Sequence, residues 1–180
     1  EKEEARKYFE IPFDKRVILM GAALTQVERK GFQMALNAIQ KLNNPDVITV
    51  VFGNYKDKLP KGFMKVGKID SDVNLIRLYS AADYFLMPSI EEAFGQVTIE
   101  ALACGLPVIS FPNGGSRDIL KPNVNGVLAS DFTEVALLEA MKNGLSQSFD
   151  SEKIIGDVKH RFNNHDKVEA YYQLYQQLLE

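Results

Sequence analysis

A chain of 180 residues, 46% of them apolar, is long enough to bury a sizeable core as one domain. Its net charge of −3 offers no general attraction to nucleic acid or to an anionic membrane, so neither is expected as a partner. No stretch has the length and apolarity of a membrane-spanning helix, no signal peptide opens the sequence, and the single cysteine, Cys104, rules out an internal disulfide framework. These features predict a reducing, cytoplasmic location, with the inner membrane face as a variant reached through another part of the protein. The chain opens on Glu1 rather than Met, as a piece of a longer protein would.

In chain order, Glu3 to Phe9 reads as a short amphipathic helix, and Arg16 to Met20 as a buried strand ending at Gly21. A polar loop from Ala22 to Lys30 leads into a helix over about 31–42, with Phe32, Ala35, Leu36, Ile39 and Leu42 at helical spacing and Asn43-Asn44-Pro45 as its stop. Val47 to Phe52 and Phe63 to Val66 are two further strands. A helix over about 71–82 is followed directly by the strand Tyr84 to Met87. Beyond it come a helix from about Gly95 to Cys104, a strand Pro107 to Ser110, a turn at Asn113-Gly114-Gly115 into a short helix, and a weak strand Gly126 to Leu128. From Phe132 onward the pattern is helical. Its last helix carries Val168, Tyr171, Tyr172, Tyr175, Leu178 and Leu179 on one stripe, which suits core packing with wet hydroxyls or, alternatively, docking on an absent partner domain.

Strands alternating with helices through short connections predict an α/β fold, a Rossmann-like parallel sheet with helices on both faces. Ligands of such sheets bind outside the carboxyl ends of the strands. The loops after Met20, Val66, Met87 and Ser110 leave strands at that edge, so Lys30, the turn at Gly67, Glu92 and Gly114-Gly115 can converge there.

The stretch 83–115 is where chemistry concentrates. The helix that begins at Gly95 is apolar on almost every side, through Val97, Ile99, Ala101, Leu102 and Ala103, and is expected to lie buried beside the sheet. Glu100 inside it is costly to bury unless it faces a cleft, and Gln96 shares its helix face. Glu92 stands in the loop before the helix, and the unpaired amides of Phe94, Gly95 and Gln96 at the helix N-terminus favour an anion such as phosphate, which Gly95 would allow to approach the backbone. An anion cradle beside two hydroxyl-accepting carboxylates suggests a nucleotide, or a nucleotide joined to a sugar. Taken singly, Glu92 is equally a solvated loop residue and Glu100 the surface end of a packing helix. Lys30, just before a helix start, is a diphosphate ligand or a solvated lysine on local grounds alone.

No Gly-x-Gly-x-x-Gly or P-loop pattern occurs. His160 and His165 read as helix-surface residues, and Asp70-Ser71-Asp72 as a helix cap rather than a metal site, so no bound metal is expected.

The run Ser89-Ile-Glu-Glu-Ala-Phe-Gly-Gln-Val-Thr-Ile-Glu-Ala, with Cys104-Gly-Leu-Pro-Val108, Gly114-Gly115, Lys30-Gly31 and Tyr79-Ser-Ala-Ala-Asp83, resembles the signature of the retaining glycosyltransferases of family 4, whose mark is two glutamates separated by seven residues. The likeness runs from about Val17 to Leu128. It implies the C-terminal, nucleotide-sugar-binding half of a two-domain GT-B enzyme of glycan or polysaccharide synthesis, residues 1–180 forming that single domain. The N-terminal domain, which binds a glycan or lipid-linked acceptor, is absent from the chain, so the fragment alone is expected not to transfer sugar.

The resemblance implies that Glu92 hydrogen-bonds the donor sugar and Glu100 the ribose. Lys30 and the amides of Phe94, Gly95 and Gln96 bind the diphosphate, and Gly67-Lys68-Ile69 hold the base. The catalytic pair would be Glu92 and Lys30. The co-substrate is a UDP- or GDP-linked sugar, with no metal and no resident cofactor. Family members carry an arginine after the glycine that ends the first strand; here Ala22 stands there, and Arg29 is the candidate substitute. Two other readings remain open: an epimerase of nucleotide-linked amino sugars with the same architecture, and a catalytically silent nucleotide-binding module.

Overall fold

The structure is a computed structural model that describes residues 2–21, 28–55 and 58–179, the side chains at 28 and 164–167 excepted. Six strands, β1 (Arg16–Gly21), β2 (Val47–Phe52), β3 (Phe63–Gly67), β4 (Tyr84–Met87), β5 (Val108–Ser110) and β6 (Gly126–Leu128), form one sheet in the order β3-β2-β1-β4-β5-β6, every pair parallel. The β-branched and apolar runs have this form because side chains alternate between faces and both faces are covered. In β1, Ile18 and Met20 enter one core while Val17 and Leu19 enter the other, and all four are fully buried.

Helices α1 (Lys2–Tyr8), α2 (Phe32–Leu42), α3 (Asp72–Ala81), α4 (Gln96–Ala103), α5 (Gly114–Ile119), α6 (Glu134–Ser146), α7 (Ser151–Arg161) and α8 (Asn164–Leu179) complete the fold. The first core is closed by α2 and α6, through Leu36, Ile39, Leu137 and Met141. The second is closed by α1, α3, α4 and α7, through Ala5, Leu78, Leu102 and Ile154. This is the Rossmann-like arrangement expected from the alternation of elements, with boundaries that differ by one or two residues. Among the described residues no helix is long and apolar enough to cross a membrane.

Two expectations need correction. The α8 stripe is not core: Tyr171 is 64% exposed and Leu179 88%, and Val168, Tyr172, Tyr175 and Leu178 are exposed too. Helical spacing identifies an apolar face but not what covers it. At 70–72, Ser71 occupies the N-cap position of α3 but accepts no capping hydrogen bond, while Asp70 is ion-paired with Lys68. The pairing cation lies two residues away, closer to hand for Asp70 than the helix amides.

One buried cation ties the N-terminal helix to the sheet. Arg6, 6% exposed, donates to the carbonyls of Ala81 at 2.9 Å and Lys15 at 3.1 Å, and its guanidinium meets Asp83 at 2.8 Å. Asp83 in turn accepts from the amide of Val17 at 2.7 Å, fixing the start of β1. Without Arg6, Asp83 keeps its ion pair with Lys2 and the amide of Val17, but the carbonyls that Arg6 caps lose their donor, so Arg6→Ala is expected to cost about 2 kcal/mol. A urea midpoint unchanged from the parent protein would refute this.

Candidate functional site: a crevice at the carboxyl edge of the sheet

From β1 the chain winds toward β3 on one side, and the strands from β4 onward build toward β6 on the other, so the order reverses between β1 and β4. In open parallel sheets this is where loops part and leave a crevice. A cavity of about 310 Å³ occupies the place, bounded by Gly21, Gly53 and Pro88 beyond the strand ends and floored by Phe52, Phe85 and Met87. Its polar lining includes Lys30, Tyr79 and Glu100.

Lys30 is delivered by a 3₁₀ turn over Glu28–Lys30 and by Gly31, whose φ of 60° lies in the left-handed region. A Cβ on Gly31 would stand 2.0 Å from the carbonyl oxygen of Pro88, so only glycine lets the start of α2 press against the end of β4. The amide of Ile90 donates to the carbonyl of Arg29 at 2.8 Å, joining the loop after β4 to the same turn. Lys30 Nζ thereby reaches Glu92 Oε2 at 3.0 Å, in a pair whose side chains are both less than a third exposed.

The loop from Ser89 to Gly95 is clamped from behind. Asn113 Nδ2 donates to the carbonyl of Ser89 at 2.7 Å, and the amide of Gly115 donates to the carbonyl of Glu92 at 3.0 Å. Ser110 Oγ reaches the carbonyl of Met87 at 2.9 Å and Ser116 Oγ at 2.7 Å. A side chain at Gly115 would lie 2.6 Å from the carbonyl oxygen of Phe94, which accounts for glycine there. Asn113, Ser110 and Ser116 carried no role in the sequence, where they read as a turn residue, a strand end and part of a short helix.

Glu100 faces the crevice as expected, and the structure supplies its partner. Tyr79 donates its hydroxyl to Glu100 Oε2 at 3.4 Å. Burial, and then the Glu100 carboxylate, push the Tyr79 hydroxyl far above its ordinary range, so it stays protonated and remains a donor. Tyr79 belongs to the core face of α3, and its sequence position alone gave no sign of a second role. Burial and the same carboxylate raise the Cys104 thiol, so the half-buried cysteine stays in its protonated form.

The remaining predicted residues divide. Gly95 caps α4 with a φ of 84° and is buried, its absent Cβ directed at Ile119 rather than at solvent. Its need for glycine is therefore conformational, not ligand access. The amides of Phe94, Gly95 and Gln96 have no acceptor among the described residues. Helix α4 is buried at Thr98, Ala101 and Leu102 but exposes Val97 and Ala103, so it has an open face where full burial was expected. Phe94, Gln96 and Glu100 border a further cavity beside α7.

Gly67 does not line the crevice but accepts at 2.7 Å from the amide of Gly53, which does, whereas Lys68 is exposed and held by Asp70, and Ile69 packs into the second core. Arg29 lines a separate cavity of about 690 Å³ with Glu91, Glu92 and Arg117, not the crevice of Lys30. Ala22 lies outside the described residues. His160 is an exposed residue of the last turn of α7, and the side chain of His165 is also outside them. Among the described residues no three His, Cys, Asp or Glu side chains are grouped to hold a metal.

A doubly wound parallel sheet with a crevice at its switch point, faced by a cation and a carboxylate, defines a Rossmann-like α/β domain with its candidate site at the carboxyl edge of the sheet. The chain belongs to the glycosyl transferases group 1 family, whose model matches residues 1–161. An uncharacterized glycosyltransferase of Methanocaldococcus jannaschii is 30% identical over 139 residues, 71% of this chain and 35% of that protein. Among solved structures, sucrose-phosphate synthase from Thermosynechococcus elongatus superposes with a TM-score of 0.80 and 26% identity over 98% of this chain and 49% of its own. Anabaena HepE, solved in complex with UDP and glucose, has the same fold at a TM-score of 0.75 and 19% identity, over 99% of this chain and 51% of its own. The chain thus spans about a third to a half of the length of these proteins.

Proposed function

We propose that this chain is the donor-binding, C-terminal domain of a retaining GT-B glycosyltransferase of family 4. The full protein would move a sugar from a nucleoside diphosphate to a hydroxyl of a glycan or lipid-linked acceptor held by an N-terminal domain. The observation that carries this reading is the convergence of Lys30 and Glu100 on one crevice at the switch point, with Glu92 held 3.0 Å from Lys30 at its margin.

In this reading the apolar floor takes the nucleoside and the carboxylate of Glu100, oriented by Tyr79, accepts from the ribose hydroxyls. The backbone beside Gly67 meets the base. Lys30 and the unpaired amides of Phe94, Gly95 and Gln96 stabilise the charge that grows on the diphosphate as it leaves, a preorganised electrostatic contribution with no metal required. Glu92 accepts from the sugar hydroxyls. With no side chain among the described residues placed as a nucleophile, departure and attack on the same face of the sugar would retain configuration. HepE was solved with UDP and glucose, which makes UDP the first nucleotide to try.

The test is calorimetric titration of the domain with UDP, GDP and ADP and with their sugar conjugates, in EDTA. Binding of one nucleotide is expected, and binding of none, in the domain and in the full-length protein alike, would overturn the reading. Glu100→Ala is expected to weaken the bare nucleotide and the sugar conjugate together by about tenfold, the loss of a hydrogen bond to a charged group. Glu92→Ala should bear mainly on the conjugate. Equal losses for both ligands in both variants would contradict the assigned roles.

A further inference from the structure

The cavity lined by Arg29 and Arg117 also holds Glu92, whose ion pair with Lys30 at 3.0 Å links it to the crevice. Neither guanidinium has a hydrogen-bond or ion-pair partner among the described residues. The opposing carboxylates are unequal: Glu92 is already held by Lys30 at 3.0 Å, and Glu91 is exposed to solvent. Arg29 and Arg117 are exposed like Glu91, and with Lys30 set against Glu92 the formal balance at this wall is one positive charge. The other boundaries are Ile90, Ala93, Pro112, Asn113, Gly114 and the partly exposed ring of Phe132, which rests 5.8 Å from Phe111. The space of about 690 Å³ accommodates a monosaccharide. Two guanidinium forks beside a rigid apolar rim suit a sugar that carries an anionic group, because each fork matches the paired oxygens of a carboxylate or phosphate.

We propose that this cavity is a subsite for a sugar bearing a carboxylate or phosphate, gripped by Arg29 and Arg117. It rests on the reading above only for the nucleotide that carries a donor sugar. The anionic sugar can come from two sources, the donor or the acceptor, and the experiment separates them.

The domain is titrated with glucose, glucuronate and glucose 6-phosphate in saturating UDP, and separately with UDP-glucose and UDP-glucuronate, both for the parent and for the double variant Arg29→Gln/Arg117→Gln. The expected result is at least tenfold tighter binding of the anionic member of a pair, with the preference abolished in the double variant. A preference between the two UDP-sugars assigns the subsite to the donor. A preference among the free sugars with UDP bound assigns it to the acceptor. Equal binding of anionic and neutral sugars in both series, or a preference that survives in the double variant, overturns the proposal. Glucose 6-phosphate that binds with this arginine dependence while UDP does not bind would refute the nucleotide reading and leave the subsite standing.

Discussion

Gly31→Ala is expected to lower the stability of the domain by about 4 kcal/mol, a drop in melting temperature of roughly 10 °C for a chain of this size. Two costs combine. Placing a Cβ on a left-handed residue costs about 1–2 kcal/mol, and here the new atom would stand 2.0 Å from the Pro88 carbonyl oxygen, which is backbone and cannot rotate away. Overpacking of that kind adds about 1–3 kcal/mol as the start of α2 moves off the end of β4. Gly62 is the control, since its φ of 89° is also left-handed but nothing lies within 4 Å of its absent Cβ. Gly62→Ala should lose only the conformational part, about 1 kcal/mol. Equal losses at the two positions, read from thermal melts, would show that the contact with Pro88 contributes nothing. Because Gly31 also places Lys30, the variant should bind the nucleoside diphosphate more weakly even where it remains folded.

Glu92→Gln is expected to change two affinities in opposite directions. In the resting site Lys30 is occupied by Glu92 at 3.0 Å, so a diphosphate has to compete with a carboxylate for the ammonium. The pair is partly solvated and is worth about 1 kcal/mol at most, so its removal should tighten UDP about fivefold. A sugar-bearing donor loses instead its hydrogen bonds to a charged acceptor, about 1.5–3 kcal/mol. The affinity ratio of UDP-sugar to UDP should then fall by well over tenfold. Tightening of UDP is the discriminating sign. Weaker UDP binding in Glu92→Gln would mean that Glu92 supports Lys30 rather than competing with the ligand for it.

How much could be read from the residues alone varied with the range of the interaction. The strands were legible because a strand buried on both faces, such as Val17 to Met20, leaves an unbroken apolar run. The approach of Lys30 to Glu92 was legible because a parallel sheet sends every strand end to one edge. Arg6 was not, since a surface-type residue in a short helix reads as solvated until Asp83, seventy-seven positions later, closes on it. The α8 stripe was misjudged as core because periodicity reports a face without its partner. Tyr79 was read as helix core and family pattern, and its role beside Glu100 was hidden because that contact crosses between helices. Arg29 stood in for the family arginine that Ala22 replaces, but neighbours in a tight turn point to different sides, and it lines the other cavity.

The central pairing of the sheet also bears on how the chain acquires its shape. Strands β1 and β4 are side by side, yet Val17 and Asp83, which anchor that seam, are 66 residues apart. Closing so long a loop is an entropic toll met before any of its contacts form. The hairpin-free halves on either side, β1 to β3 and β4 to β6, involve nearer partners and can condense earlier. The crevice lies on the seam itself, so it is completed only when the two halves join, and a bound nucleotide would slow their parting.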